Sequence, residues 1–236
     1  MRTFIALMLF SAALSLTAQD GKVIPLSSEP HHHLALHNDY VNVYKVGVAP
    51  HDKVLLHRHD YDAISVMLAD AEVSVSSPDK PVVESSLAAG QIRLQARGYV
   101  HSTSIEGQSE YRNITIELLL PQSGEHNLCS VVLAGQPKHC PEPTDQKAPG
   151  IVVSPQFATD QTAVTLMTLS PHQSFESHSD DSQLIVALND VAIAGKVLHT
   201  GEFVWVAQGQ RVGSVQNKSD HPSRLVGFTF HSDRSK

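Results

Sequence analysis

The 236 residues contain no cluster of Lys and Arg, only two Cys and a single Trp, and beyond the first residues no apolar run long enough for a bilayer. Without a basic block nothing is available to neutralise a phosphate backbone, so nucleic acid is excluded as a partner. Cys129 and Cys140 stand eleven positions apart. In an exported chain that spacing reads as a disulfide rather than a metal pair, and no catalysis follows from it. No nucleophile elbow, phosphate loop or dinucleotide fingerprint occurs. The balance of charge is acidic, with 24 Asp and Glu against 17 Lys and Arg.

Residues 1–18, MRTFIALMLFSAALSLTA, carry one positive charge at Arg2, an uncharged apolar run from Phe4 to Leu16, and small residues near Thr17 and Ala18. This is the anatomy of a bacterial-type secretory signal peptide, and the run is short for a membrane span. The expectation is a secreted or periplasmic protein that leaves the membrane once the leader is cut, a monomer or homodimer of about 218 residues.

From residue 40 the chain reads as short β-branched and apolar runs, YVNVYKVGV, KVLLHRH, AISVMLA, AEVSVSS, QIRLQA and RNITIELLL, separated by turn residues. Such spacing with no long helical pattern predicts an all-β sandwich or barrel. Residues 121–150, rich in Pro and Gly and holding the Cys pair, read as a linker. The second half then repeats the first. APHDKVLLHRHDYDAISVMLAD matches SPHQSFESHSDDSQLIVALND if one residue is dropped after the histidines, and Gly90, Gly98 and Arg112 match Gly201, Gly209 and Arg224. Blocks in one order about 111 to 121 residues apart indicate an internal duplication. The expected organisation is a signal peptide (1–18), a first β domain (19–120), the linker (121–150) and a second β domain (151–236).

What the sequence has in excess is histidine, 15 residues against 7 Phe and 5 Tyr. His57-Arg58-His59 places two imidazoles at i and i+2, on one face of a strand. Downstream come Gly90, then ARGYVH with Gly98 and His101, then a closing strand with Arg112. This series resembles the two short motifs of the cupin superfamily, and the duplication resembles a two-domain bicupin. The resemblance implies two tandem small jelly-roll barrels, with His57, His59 and His101 converging on a divalent metal ion, Fe, Mn, Ni or Zn. It departs from the family at Ala63 and Ile64, where many cupins carry a Glu, and at Ile105 in place of an Asn. A three-His set leaves the ion one unit more positive than a set containing a carboxylate. Asp60, Asp62 or a histidine of the His31–His33 tract are alternatives for a fourth ligand; the tract otherwise reads as an exposed, weakly metal-sequestering patch.

The second copy has lost the pattern: His178 pairs with His57, Asp180 stands for His59, and Val212 or Gly213 for His101, so that domain is expected to be empty and structural. His51 and His172 each follow Pro in the same turn and read as turn residues. Tyr99 and Arg93 line the pocket mouth or face solvent, Trp205 replaces Leu94 and reads as core, and Asn113 and Asn217 open glycosylation sequons. The expected function is a metal-dependent enzyme, dioxygenase-like or isomerase-like, acting on a small organic molecule. The alternatives are a non-catalytic module binding a small ligand or metal, and a purely structural barrel.

Overall fold

Because most strands here alternate apolar side chains with polar ones, each sheet has to bury one face, and both halves of the chain do so by laying two sheets face to face. The structure, a computed structural model, describes residues 22–124, 132–133, 146–178 and 180–231. The expected signal peptide and the expected Cys129–Cys140 disulfide lie outside the described residues.

In the first half a five-stranded sheet runs in the order Ile24–Pro25, Lys53–Arg58, Val100–Ile105, Ala71–Ser76, Val83–Leu87. Facing it, a six-stranded sheet runs Val132–Leu133, Ile92–Gln95, Asp62–Met67, Tyr111–Leu118, Val41–Val48, His32–His37. Successive strands cross between the sheets, Lys53–Arg58 in one, Asp62–Met67 in the other, Ala71–Ser76 back in the first, which is a jelly-roll path. The second half repeats it, with Thr162–Leu169, Ser223–Phe230, Ser182–Ala187 and Phe203–Val206 consecutive in a six-stranded sheet and Ser174–Ser177, Gly213–Gln216, Val191–Ile193 and Lys196–Leu198 forming a four-stranded one. The fold is thus all-β and duplicated, but each half is an open sandwich rather than a closed barrel. Edge strands such as Val83–Leu87 and Lys196–Leu198 pair on one side only, so no ladder joins the two sheets among the described residues. Within the stretch read as linker, Val132–Leu133 adds in parallel beside Arg93–Leu94, and Gln146–Ala148 pairs antiparallel with Ile151–Val153.

The two sandwiches share a core. On Tyr111–Leu118, Ile114, Ile116 and Leu118 point away from the first sandwich and join one cluster with Val226, Phe228 and Phe230 of the matching strand in the second. Trp205 packs at this seam, its ring 5.7 Å from Tyr40 and 5.4 Å from Phe230, partly buried as its replacement of Leu94 predicted. The matched glycines mark the seam too: Gly90 and Gly201 have φ of 83° and 80°. A Cβ on either would lie 2.6 Å from an atom of the other half, Arg224 Nη2 at Gly90 and Leu68 Cδ1 at Gly201. His51 and His172 occupy the same left-handed turn, with φ of 64° and 60°. Asn113 and Asn217 are each 2% exposed, which withdraws both as glycosylation acceptors.

Candidate metal centre

Val54, His57 and His59 all point into the first sandwich, although Val54 and His57 are three positions apart and a regular strand would send them to opposite faces. A β-bulge reverses the parity. Against Val100–Ile105, Val54 lies opposite Thr103 and His57 opposite His101, so Leu55 and Leu56 together face the single residue Ser102. The extra residue turns Leu55 out, where it is 43% exposed, and brings both histidines in, each 1% exposed.

His57, His59 and His101 offer ring nitrogens that all lie within 4.8 Å of one another, and all three residues are buried. Burial is the main cause holding the rings neutral: it lowers His57 to about 4 and His59 to about 3, and the neighbouring imidazoles add to the effect at His59. His101 is likewise pushed well below its ordinary value, by burial first and then by His57, His59, His32 and Arg93. His57 Nδ1–H donates to the Leu55 carbonyl at 2.8 Å, which leaves its Nε2 lone pair free, and that atom is buried without a partner among the described residues. His59 Nε2 and His101 Nε2 stand 3.0 Å apart. Two nitrogens each about 2.1 Å from one ion, about 90° apart, are separated by about 3 Å, so the set fits a divalent ion held on one open-sided face. Neutral imidazoles with unpaired nitrogens are also the form in which histidine binds metal.

Apart from Val54, the rest of the cavity wall carries polar groups. Ser65, Gln95, Asn113 and Thr115 face the triad across a space with room for about one water-sized sphere. Tyr99, expected at the pocket mouth or in solvent, stacks on His101 with centroids 4.6 Å apart and rings inclined by 20°. Asp60 and Asp62 are not part of the cluster: Asp60 pairs with Arg58 at 2.7 Å, and Asp62 accepts the Arg97 N–H at 2.9 Å. The His31–His33 tract is not simply exposed either. The side chain of His32 is 6% exposed, its Nδ1 lies 2.6 Å from Glu29 Oε2, and its ring is 5.1 Å from that of His57. Burial works against ionisation of Glu29, but hydrogen bonds from His32, Leu55 and His31 outweigh it and hold the carboxyl below its usual range.

Two carboxylates near the site escaped the sequence reading, Glu29 and Glu117. Glu117 is 4% exposed and lies directly across the ladder from Ala63, one of the two positions at which the sequence departs from the family's Glu. It accepts the Asn42 side-chain N–H at 2.8 Å and the Tyr44 hydroxyl at 3.3 Å. Burial raises its carboxyl above the usual range despite those two bonds. The signal for Glu117 lay in the alternation of RNITIEL, whose Asn113, Thr115 and Glu117 share one face with Tyr111.

No family model and no curated protein matches the sequence, whereas solved structures match most of it in three dimensions. AerE from Microcystis aeruginosa superposes with a TM-score of 0.57 at 13% identity, over 86% of this chain and 99% of that one. A cupin 2 conserved barrel domain protein from Leptotrichia buccalis gives 0.53 at 10% identity, over 85% and 88%. The salicylate 1,2-dioxygenase of Pseudoaminobacter salicylatoxidans, solved with gentisate, gives 0.56 at 11% identity, over 81% and 68%. The chain has the two-domain cupin fold. Among the described residues the second sandwich has no matching triad, and its ladder corrects the alignment of the repeats. Ser174–Ser177 pairs with Gly213–Gln216 in unbroken register, Ser177 opposite Gly213 as His57 is opposite His101. The residue missing from the second copy is therefore the bulge residue inside the strand, not one after the histidines. Ser177, rather than His178, is the counterpart of His57, Gly213 rather than Val212 that of His101, and both His178 and Asp180 are exposed.

Proposed function

We propose that this bicupin is an exported, metal-dependent enzyme that acts on a small organic molecule at a divalent ion held by His57, His59 and His101. The observation that carries the reading is the 3.0 Å approach of two buried ring nitrogens beside a third whose lone pair has no partner among the described residues. An ion on three neutral ligands supplies Lewis-acid or O₂ chemistry at its open positions. The chain's own residues keep the imidazoles uncharged, orient His57 through Leu55, and place Glu117 inside the same sandwich as a protonatable carboxyl. Of the structural neighbours, one is a dioxygenase whose named substrate is a small aromatic acid, which favours a dioxygenase-like reaction over an isomerase-like one. Fe, Mn, Ni and Zn all suit the donor set.

A second reading, a module that binds metal without turnover, is favoured by the small space in front of the triad. Metal content by mass spectrometry on chelator-free protein tests the shared part. About one ion per chain is expected, with nearly complete loss on replacing His57, His59 or His101 singly by Ala and none on His178→Ala. Equal loss from His178→Ala and His101→Ala would defeat the one-site reading. Oxygen uptake by Fe-loaded protein across phenols, thiols and keto acids separates enzyme from binder.

A further inference from the structure

Glu29 sits just beyond the single-turn 3₁₀ helix Leu26–Ser28, 2% exposed, and holds three N–H groups at once. Its Oε1 accepts the Leu55 N–H at 3.1 Å, and its Oε2 accepts the His31 N–H at 2.8 Å and lies 2.6 Å from His32 Nδ1. Leu55 and Leu56 are both skipped in the register with Val100–Ile105, and the Leu55 N–H is met by this carboxylate. The carbonyl of the same residue receives His57 Nδ1–H at 2.8 Å. One carboxylate thus anchors, at its N–H, the residue whose carbonyl orients His57, and through His32 it also sets a ring 5.1 Å away, inclined by 52° to that of His57. Ile24–Pro25, running parallel beside His57–Arg58, delivers the segment to this place.

We infer that Glu29 is a positioning residue for the metal centre, acting through the backbone of Leu55 to hold His57 with Nδ1 protonated and Nε2 free. The inference rests on the metal reading of the triad. Outer-shell partners of this kind set the tautomer and orientation of a ligand, and their loss weakens metal binding by about 10- to 100-fold. A carboxylate receiving several N–H donors is suited to the task because charge-assisted bonds are the strong ones.

Two measurements on the full chain test it. Nitrogen-15 NMR of metal-free protein reads the His57 tautomer, and amide exchange reads the protection of the Leu55 N–H. Co(II) titration then gives a dissociation constant and a visible spectrum for the parent, Glu29→Ala, Glu29→Gln and His32→Ala. The parent is expected to show His57 in the Nδ1–H form with a protected Leu55 amide. Glu29→Ala should mix the tautomers, alter the Co(II) spectrum and weaken binding about tenfold or more. Glu29→Gln, which keeps an acceptor for Leu55, should recover most of the affinity, and His32→Ala should leave the tautomer intact. A folded Glu29→Ala with parental tautomer and spectrum overturns the inference while leaving the metal reading standing. Should Glu29→Ala not fold, the parent alone still decides, since a freely exchanging Leu55 amide or an Nε2–H tautomer also overturns it. A parent that binds no Co(II) removes the metal reading, and the inference with it.

Discussion

Three imidazoles this close together can share a buried space only while they are uncharged, and that condition makes the metal-free protein sensitive to acid. The unfolded chain takes up protons near the ordinary histidine value of 6.5, whereas folded His57 does so only at about 4 and His59 at about 3. A depressed folded value means that the unfolded state binds more protons in the interval between. Stability is therefore complete above about pH 6.5 and falls as pH drops toward 4, by up to about 1.4 kcal/mol per pH unit for each imidazole. Urea unfolding of chelated protein at about pH 7.5 and about pH 5 should show that loss, and a His57→Ala/His59→Ala variant should show a flatter profile. Equal parental stability at the two pH values would mean that the rings are not buried as neutral groups. At this scale the three histidines were legible, because two stand at i and i+2 and the third falls in a short motif. Glu29 was not: its bond to Leu55 spans 26 positions, and no local pattern announces it.

At the scale of the element, the bulge is what turns both histidines of the strand inward. Had Lys53–Arg58 continued in register, Leu56 and Arg58 would face inward with Val54, and both histidines would face out. The second copy lacks the extra residue and runs regularly through Ser177, which is why its sequence aligned one position away from its structure. Turn glycines belong to this scale as well. Gly98 and Gly201 have nearly the same φ, 81° and 80°, but a Cβ at Gly98 meets nothing within 4 Å while one at Gly201 meets Leu68 at 2.6 Å. Gly98→Ala should cost about 1 kcal/mol from its left-handed backbone. Gly201→Ala should cost about 1 kcal/mol more, because Leu68 is packed against the seam and has to move. Equal midpoints for the two variants in urea would argue against the close approach at the seam.

At the scale of the whole molecule, the seam between the halves decides which face of the central strands is the inside. Phe228, fully buried, sits in the cluster that both sandwiches share. Phe228→Ala should cost about 3–5 kcal/mol. Because that cluster is common to both halves, calorimetry should show a single transition moving to lower temperature. Two separate transitions, with the one belonging to the half that holds the His triad unchanged, would mean that the sandwiches are energetically independent. The second copy thus does structural work in this fold: it covers Ile114, Ile116 and Leu118, side chains that a lone first sandwich would leave facing water.

The sequence by itself determined the all-β class, the duplication, the grouping of His57, His59 and His101 and the loss of the His pattern from the second copy, because each is written in local period, spacing or repeated order. Tertiary structure alone decided the polarity of the interior. By alternation, RNITIEL offers one apolar face and one polar face, and the default places Asn113, Thr115 and Glu117 in water. The second half takes the apolar face instead and leaves the polar one inside the first sandwich, where Asn113 and Thr115 line the space that holds the triad. Tertiary structure also decided the bulge, since the Leu55 N–H left over by it is met by Glu29 from a segment far away in the chain. Both outcomes depend on partners from distant sequence, and an unpaired buried polar group is costly enough that the position of those partners, rather than the pattern of the strand, determines where each side chain goes.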